Sequence, residues 1–516
     1  MFSETTPQRL QTAPVPKPGS PALDLDEIQG DVLIGLQKNF ERFIFFEIKD
    51  VKAFKYALRH QIAPRITTTR TVHHRELELQ EHKKQGDHTL LHLVGLNLGF
   101  TNNGILKLVP GADLVDQSFK DSAKKKASSL GDAHDNADPL KLTNWLPEFL
   151  SDTIDGVFLI TAETENAVND EAHHLLNLIG PAISIVHDET GKARPGLERG
   201  HEHFGWLDGV SQPGVKGLTD TFPGQRLLDP GLFVLGYPQP PAPQRPPQPP
   251  PPDWVKNGSF MVFRRLNQLV PEFTNYILDQ AEHIQVTDSN GNVVSTQMDP
   301  VLLGARMVGR WKSGAPLALT PSQDDTTLGA DPNQNNNFDF SDDRDQRRCP
   351  YGAHIRKSNP RADFDPTQPE TSQEKSVDPH RIIRAGIPFG NEVSATEQTQ
   401  GKTLEDRGLM FVCYQTSIPF QFEFIQINWV NNKGFIFNKT RPSDPNVKVT
   451  VGQDPIIGQN TVNGQPQPRQ TDEPFPNYPA GNVRSTLNEP IDFVVPTGGG
   501  YFFTPSISAL KHELSA

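Results

Sequence analysis

The chain has 516 residues and a formal net charge of −13. That balance excludes the basic face needed for nucleic acid or an anionic membrane, and no apolar run approaches the roughly 18 residues of a spanning helix. Hydrophobic residues make 35% and charged residues 22%, with 47 prolines and 40 glycines, which predicts a globular, loop-rich chain of roughly two to four domains.

Met1 to Pro21 is rich in Pro, Ser and Thr and lacks the charged and apolar regions of a signal peptide. Residues 1–22 are expected to form a disordered tail. Asn257-Gly258-Ser259 and Asn438-Lys439-Thr440 permit glycosylation without requiring it. Two cysteines, Cys349 and Cys413, allow at most one bridge and leave the redox compartment open.

Phe43 to Ile48 reads as a buried strand, and Val51, Phe54 and Leu58 follow at helical spacing. The same grammar recurs. Val157 to Thr161 precedes Val168, Ala172, Leu175 and Ile179, and Phe260 to Phe263 precedes Leu266, Val270, Phe273 and Ile277. Leu409 to Tyr414 precedes Phe420 to Val430, whose apolar residues alternate as a strand would. Leu90 to Leu96, Ile183 to His187 and Val447 to Val451 are further strand candidates. Strand-led units falling twice in each half predict two related α+β halves, each an antiparallel sheet with helices on one side. Pro238 to Pro252 reads as an extended linker. Thr320 to Arg347, with Asn333 to Asn337, reads as solvated loop.

Four stretches carry chemistry. Gly205-Trp206-Leu207-Asp208-Gly209 sets one carboxylate among glycines and apolar residues, either as a turn residue or aimed into a pocket. His201-Glu202-His203, with Asp208, offers a two-histidine, one-carboxylate set for non-haem iron. Cys349-Pro350-Tyr351-Gly352-Ala353-His354-Ile355-Arg356-Lys357 holds an imidazole suited to haem iron. Arg356 and Arg361 carry guanidinium forks suited to its propionates. Cys349 is an alternative thiolate ligand or a buried hydrophobe. Ile382-Ile383-Arg384-Ala385-Gly386-Ile387-Pro388 embeds a cation that is either a structural ion pair or a pocket charge beside Asp208.

Gly205-x-x-Asp208-Gly209, Ala353-His354-Ile355-Arg356-Lys357, Arg384-Ala385-Gly386-Ile387-Pro388 and Arg407-Gly408-Leu409-Met410-Phe411 occur in this order. Together they resemble the dye-decolorizing peroxidases, especially the long fungal branch, from about Ile28 to Phe502. The resemblance implies two ferredoxin-like halves of the dimeric α+β barrel superfamily. Residues 23–225 would carry the Asp208 motif, residues 226–256 the linker, and residues 257–516 the proximal histidine and most of the pocket.

It also implies roles. His354 would be the axial ligand of one haem b per chain. Arg356 and Arg361 would bind propionates, and Leu409, Phe411 and Gly209 would line the cofactor site. Asp208 would be the distal acid–base, with Arg384 stabilising charge. Asp454, in Gly452-Gln453-Asp454-Pro455, would orient the proximal histidine. Trp429 matches a surface tryptophan used as a radical site for bulky substrates. Phe389 stands where some relatives carry tyrosine, which puts an electron route through that position in doubt.

The implied activity is hydrogen-peroxide-dependent, one-electron oxidation of dyes, phenols and aromatic polymers through an oxyferryl intermediate. The resemblance further implies a secreted monomer or weak dimer. A carboxylate base predicts an acidic optimum, since unperturbed Asp titrates near pH ~4. The rival readings are a haem-handling protein without turnover and the non-haem iron set.

Overall fold

The structure is a computed structural model describing residues 22–86, 91–135, 137–239, 249–284, 298–343, 346–363, 377–436, 451–459 and 487–516, and only the backbone of a few residues between them. Apart from the backbone of Arg9 and Leu10, which pairs with Asp220 and Thr219, the tail up to residue 21 lies outside the described residues, as do residues 240–248 of the proline-rich run and Asn438.

One nine-stranded antiparallel sheet organises the chain. Its first half contains β1 (Phe40–Ile48), β2 (Gly95–Phe100), β3 (Gly156–Ala162) and β4 (Ile183–Lys192). They lie in the order β2-β3-β1-β4. The second half contains β5 (Ser259–Gln268), the short β6 (Ile383–Arg384) and β7 (Ile387–Gly390), β8 (Arg407–Gln415) and β9 (Val494–Thr504). Here β6 and β7 both pair with β8, followed by β5 and β9. The two halves therefore repeat one topology, a ferredoxin-like pattern in which the first and third strands are central.

The halves meet where Phe503 of β9 pairs with Phe100 of β2. At the far edges β7 lies against β4, and a Cβ added to Gly191 would sit 2.4 Å from Ile387 Cγ2. The sheet thus curls back on itself as an α+β barrel.

Side-chain alternation separates two apolar layers. Phe43, Phe45, Phe263 and Phe502 face the barrel interior, with the Phe45 ring 5.0 Å from Phe263 and 6.1 Å from Phe502. Phe46 points outward, its ring 4.7 Å from Phe158 and 5.6 Å from Phe54. Phe54 belongs to α1 (Val51–Ala57), which Asp50 caps by accepting from the Ala53 amide at 2.9 Å.

In α2 (Glu165–Ile179) the expected apolar face, Val168, Ala172, Leu175 and Ile179, is buried. In α3 (Val270–His283) Val270, Phe273 and Ile277 are buried, whereas Leu266 belongs to β5 rather than to the helix. The segment after β8 is helical, as the recurring strand–helix grammar expects, despite the strand-like alternation of its apolar residues. A helical turn at Phe422–Phe424 continues as a wider turn over Ile425–Val430. The strand expected over Leu90 to Leu96 begins only at Gly95. Among the described residues no helix is long and apolar enough to cross a membrane.

Candidate active site

The outer face of the second half-sheet is covered by loops and short helices instead of a full helical layer. A cavity of about 320 Å³ opens there. Even-numbered residues of β5 (Arg264, Leu266, Gln268) and odd-numbered residues of β8 (Leu409, Phe411) line its floor. Asp208, His354 and Arg384 all border the same space, along with Gly209 and Arg361.

Asp208 sits in a tight loop. Its amide donates to Gly200 O at 2.9 Å, and Gly205 and Gly209 adopt φ of +96° and +70°. A side chain at either glycine would be strained. The turn presents the carboxylate to the cavity, so the two readings of this motif describe one arrangement. Asp208 Oδ1 accepts from the Gly209 amide at 2.6 Å and from Arg384 Nη1 at 3.2 Å. Arg384 Nη2 also donates to Ser211 O at 3.0 Å. The Gln212 amide pairs with the Arg384 backbone in both directions, at 2.5 and 3.2 Å, strapping the loop to β6.

Glu202, buried and pushed above its usual carboxylate range by that burial, accepts from the Phe204 and Trp206 amides at 2.9 and 2.8 Å. It closes the turn that leads to Asp208.

His354 opens a short helix, His354–Ser358. Its Nδ1 donates to Asp454 Oδ2 at 2.8 Å, and Nε2 has no partner among the described residues. Burial pulls the imidazole down, but the charge and hydrogen bond of Asp454 outweigh it, so His354 stands above its usual value. Burial likewise pushes Asp454 up, and His354 more than offsets this to hold it low. Asp454 Oδ1 accepts from the Ile456 and Ile457 amides at 2.8 and 3.0 Å. Lys357 pins the helix by donating to Asn432, Phe435 and Gly452 carbonyls, each at 2.7 Å. Burial lowers its ammonium to about 7.

Four site expectations need correction. Arg356 does not face the cavity: it is fully buried, bridging Asp363 at 2.7 Å and Asp343 at 3.1 Å. Its guanidinium also lies 4.3 Å from the Tyr351 ring, so it acts as a structural clamp. Trp429 is 2% exposed, its ring stacked 5.4 Å from Phe435 and edge-on to Phe424 at 5.5 Å. It borders the cavity rather than the surface. His201 and His203 do not converge with Asp208. His203 Nε2 donates to Phe389 O at 2.8 Å, and no metal-holding group of three His, Cys, Asp or Glu side chains occurs among the described residues. Cys349 is a buried free thiol pushed up to about 12 by that burial, so it is no ready thiolate.

Arg361 remains at the cavity, its guanidinium 3.9 Å from the Phe338 ring and donating to Asn336 O at 2.9 Å. Asn335 and Asn336 are buried, so the segment read as solvated loop is partly a scaffold. They also hold Arg310, which no motif flagged. Arg310 borders the cavity and is pushed down to about 9 by burial. It donates to Gly314 O at 2.8 Å, Asn335 O at 2.7 Å and Asn336 Oδ1 at 2.8 Å, all neutral.

A buried cation held by neutral acceptors favours an anion nearby. An apolar cavity with a free imidazole nitrogen and the Arg310 and Arg361 guanidinium groups fits a flat, iron-bearing cofactor with carboxylate arms, namely haem.

Comparison with known proteins agrees. The family model of the DyP dimeric alpha+beta barrel domain matches residues 27–195. A dye-decolorizing peroxidase of Mycena epipterygia is 40% identical over 510 residues, covering 95% of this chain and 87% of that one. One from Auricularia auricula-judae is 38% identical over 511 residues, covering 98% and 90%. Among solved structures, a single-residue variant of the Pleurotus ostreatus dye-decolorizing peroxidase superposes with a TM-score of 0.84 at 38% identity, covering 96% of this chain and 100% of that one. Another dye-decolorizing peroxidase, solved with 2,6-dimethoxyphenol, superposes at 0.79 with 40% identity and the same coverage. Identity at this level across nearly the full length of both partners, on one shared fold, settles the relationship: the chain belongs to the dye-decolorizing peroxidases.

Proposed function

We propose that this chain is a haem peroxidase that uses hydrogen peroxide to oxidise dyes, phenols and related aromatic compounds in one-electron steps, with one haem b per chain. The observation that carries the reading is the joint presence, around one cavity, of an anchored imidazole and a carboxylate–guanidinium pair. His354 would bind the iron through Nε2, with Asp454 fixing the ring and increasing its donor strength. Arg361 and Arg310 would face the propionates, and Leu409 and Phe411 would exclude water from one wall. The haem, when bound, supplies the iron that binds peroxide and stores its oxidising equivalents.

The remaining work falls to the chain. Asp208 Oδ1 is committed to Gly209 and Arg384, while Oδ2 has no partner among the described residues. Oδ2 is therefore placed to take the proton from one peroxide oxygen and return it to the other, so that water can leave. Arg384 holds the carboxylate in place and offsets negative charge growing on the departing oxygen.

The purified holoprotein tests this directly. Peroxide-dependent oxidation of an anthraquinone dye and of 2,6-dimethoxyphenol, with no oxidation when peroxide is omitted, is the expected result. A haem-loaded protein that oxidises neither compound would leave the haem-handling reading in place.

A further inference from the structure

Two tyrosines are buried with their phenol protons committed to buried carboxylates. Tyr414 donates to Asp31 Oδ2 at 2.7 Å, and Tyr501 donates to Glu423 Oε1 at 2.9 Å. They differ in which side of the sheet they occupy. Tyr414 points into the barrel interior, 3.4 Å from Met261 Sδ. Tyr501 pairs with Val262 across β5 and β9, which places it on the same sheet face as Arg264 and Leu266 at the cavity floor.

Phe422, a cavity-lining ring, lies between Tyr501 and Phe411, with centroids 6.5 Å from the first and 6.1 Å from the second. Glu423 follows Phe422 directly, and its second oxygen accepts from Ser118 Oγ at 2.7 Å. Tyr501 and Glu423 are 2% and 6% exposed, so substrate in solution touches neither.

Oxidising a phenol outside water is costly unless its proton leaves with the electron, because the bare radical cation would be an uncompensated buried charge. A carboxylate already accepting that O–H removes the obstacle. Burial, reinforced by the Glu423 charge, holds the phenol well above its usual range, so simple ionisation is closed to it.

We propose that Tyr501 and Glu423 form an internal one-electron redox site, filled when the peroxide-oxidised enzyme has no substrate. This rests on the peroxidase reading above. The Tyr501 O–H bond breaks, its proton forms a new O–H bond on Glu423 Oε1, and its electron reduces the oxidised cofactor by one equivalent. The product is a neutral phenoxyl radical beside a protonated carboxyl. An electron from a later substrate molecule restores the phenol as Glu423 returns the proton. The site would hold an oxidising equivalent on a shielded ring, away from exposed side chains.

The test is electron paramagnetic resonance of the holoenzyme, frozen after one equivalent of peroxide without substrate, with the visible spectrum recorded alongside. The expected result is a tyrosyl signal that narrows when the enzyme carries ring-deuterated tyrosine. It should fall at least tenfold in Tyr501→Phe and in Glu423→Gln, and persist in Tyr414→Phe. Glu423→Gln keeps the phenol and removes the base, so signal loss there separates proton acceptance from mere packing. An undiminished signal in Tyr501→Phe, or a radical assigned to tryptophan, overturns the proposal. A normal spectral response to peroxide without any tyrosyl signal also overturns it, leaving the peroxidase reading intact. No spectral response to peroxide overturns both.

Discussion

Two of the ion pairs bordering the cavity, His354–Asp454 and Arg384–Asp208, are built to opposite standards. In His354–Asp454 the carboxylate is fully buried, takes two backbone amides besides the imidazole, and sits beside a helix tied down by Lys357 and Arg356. In Arg384–Asp208 both side chains are about a third exposed, at 33% and 38%, and their contact is 3.2 Å. The loop carrying Asp208 is strapped through Gln212 and Ser211, while the carboxylate itself keeps one oxygen without a partner among the described residues. The first arrangement suits a group that must hold one atom in one place. The second suits a group that must gain and lose a proton in every turnover, which a fully satisfied carboxylate does poorly.

This contrast orders the expected effects of mutation. His354→Ala has the largest: the variant purifies without haem absorbance and without peroxidase activity, while the parent protein retains both. Arg384→Leu retains haem and loses about 10²–10³-fold in kcat/KM for peroxide, the range for removing a group that stabilises developing charge. Asp454→Asn keeps the shape of its partner and loses the charge. Haem affinity or activity should drop about 10–100-fold, as measured by haem transfer to an acceptor protein and by turnover. A larger loss from Asp454→Asn than from Arg384→Leu would reverse the comparison.

The last expected effect is on stability rather than on activity. Burial, with Arg194 adding to it, pushes His203 down to about 4. An unfolded histidine titrates near ~6.5. Because the folded value is depressed, the contribution is fully present above about pH 6.5 and is lost as pH falls toward 4, by about 3 kcal/mol at most. The Tm of the parent should therefore fall across that window, and His203→Gln, which keeps a donor for Phe389 O, should flatten the slope. Equal slopes in both proteins would show that His203 is not what titrates.

Much of the fold is legible in the sequence where apolar residues alternate without interruption. β1, β3, β5 and β8 fall where Phe43, Val157, Phe260 and Leu409 signal them, and these are the central strands of each half. β2 and β9 are harder because glycines blank their pattern at places where neighbouring side chains press on the backbone. A Cβ at Gly99 would lie 3.1 Å from Phe502 Cβ, and one at Gly498 would lie 2.5 Å from the Phe149 ring. These two strands join the halves, so the junction between the halves is the least legible feature of the sheet.

In the site, Asp208, His354, Arg384 and Asp454 are recognisable because each lies in a short motif. Arg356 misleads because its type and position fit a propionate, whereas its partners, Asp343 and Asp363, come from irregular segments on either side. Arg310 goes unseen for the opposite reason. It sits in no motif, and its acceptors come from residues around 314 and from the asparagine-rich stretch. Trp429 reads as a strand aromatic or a surface relay, yet the wide helical turn over Ile425–Val430 rotates it inward.

The central claim, that Asp208 moves the peroxide proton while His354 only holds the cofactor, is tested most directly by mixing the haem-loaded Asp208→Asn variant with peroxide and following the first spectral change. Asparagine keeps the size and the contacts to Gly209 and Arg384 but cannot act as a base. The expected result is an unchanged resting spectrum and a second-order rate constant lowered about 10²–10⁴-fold. A rate within twofold of the parent would contradict it and assign the proton to another group.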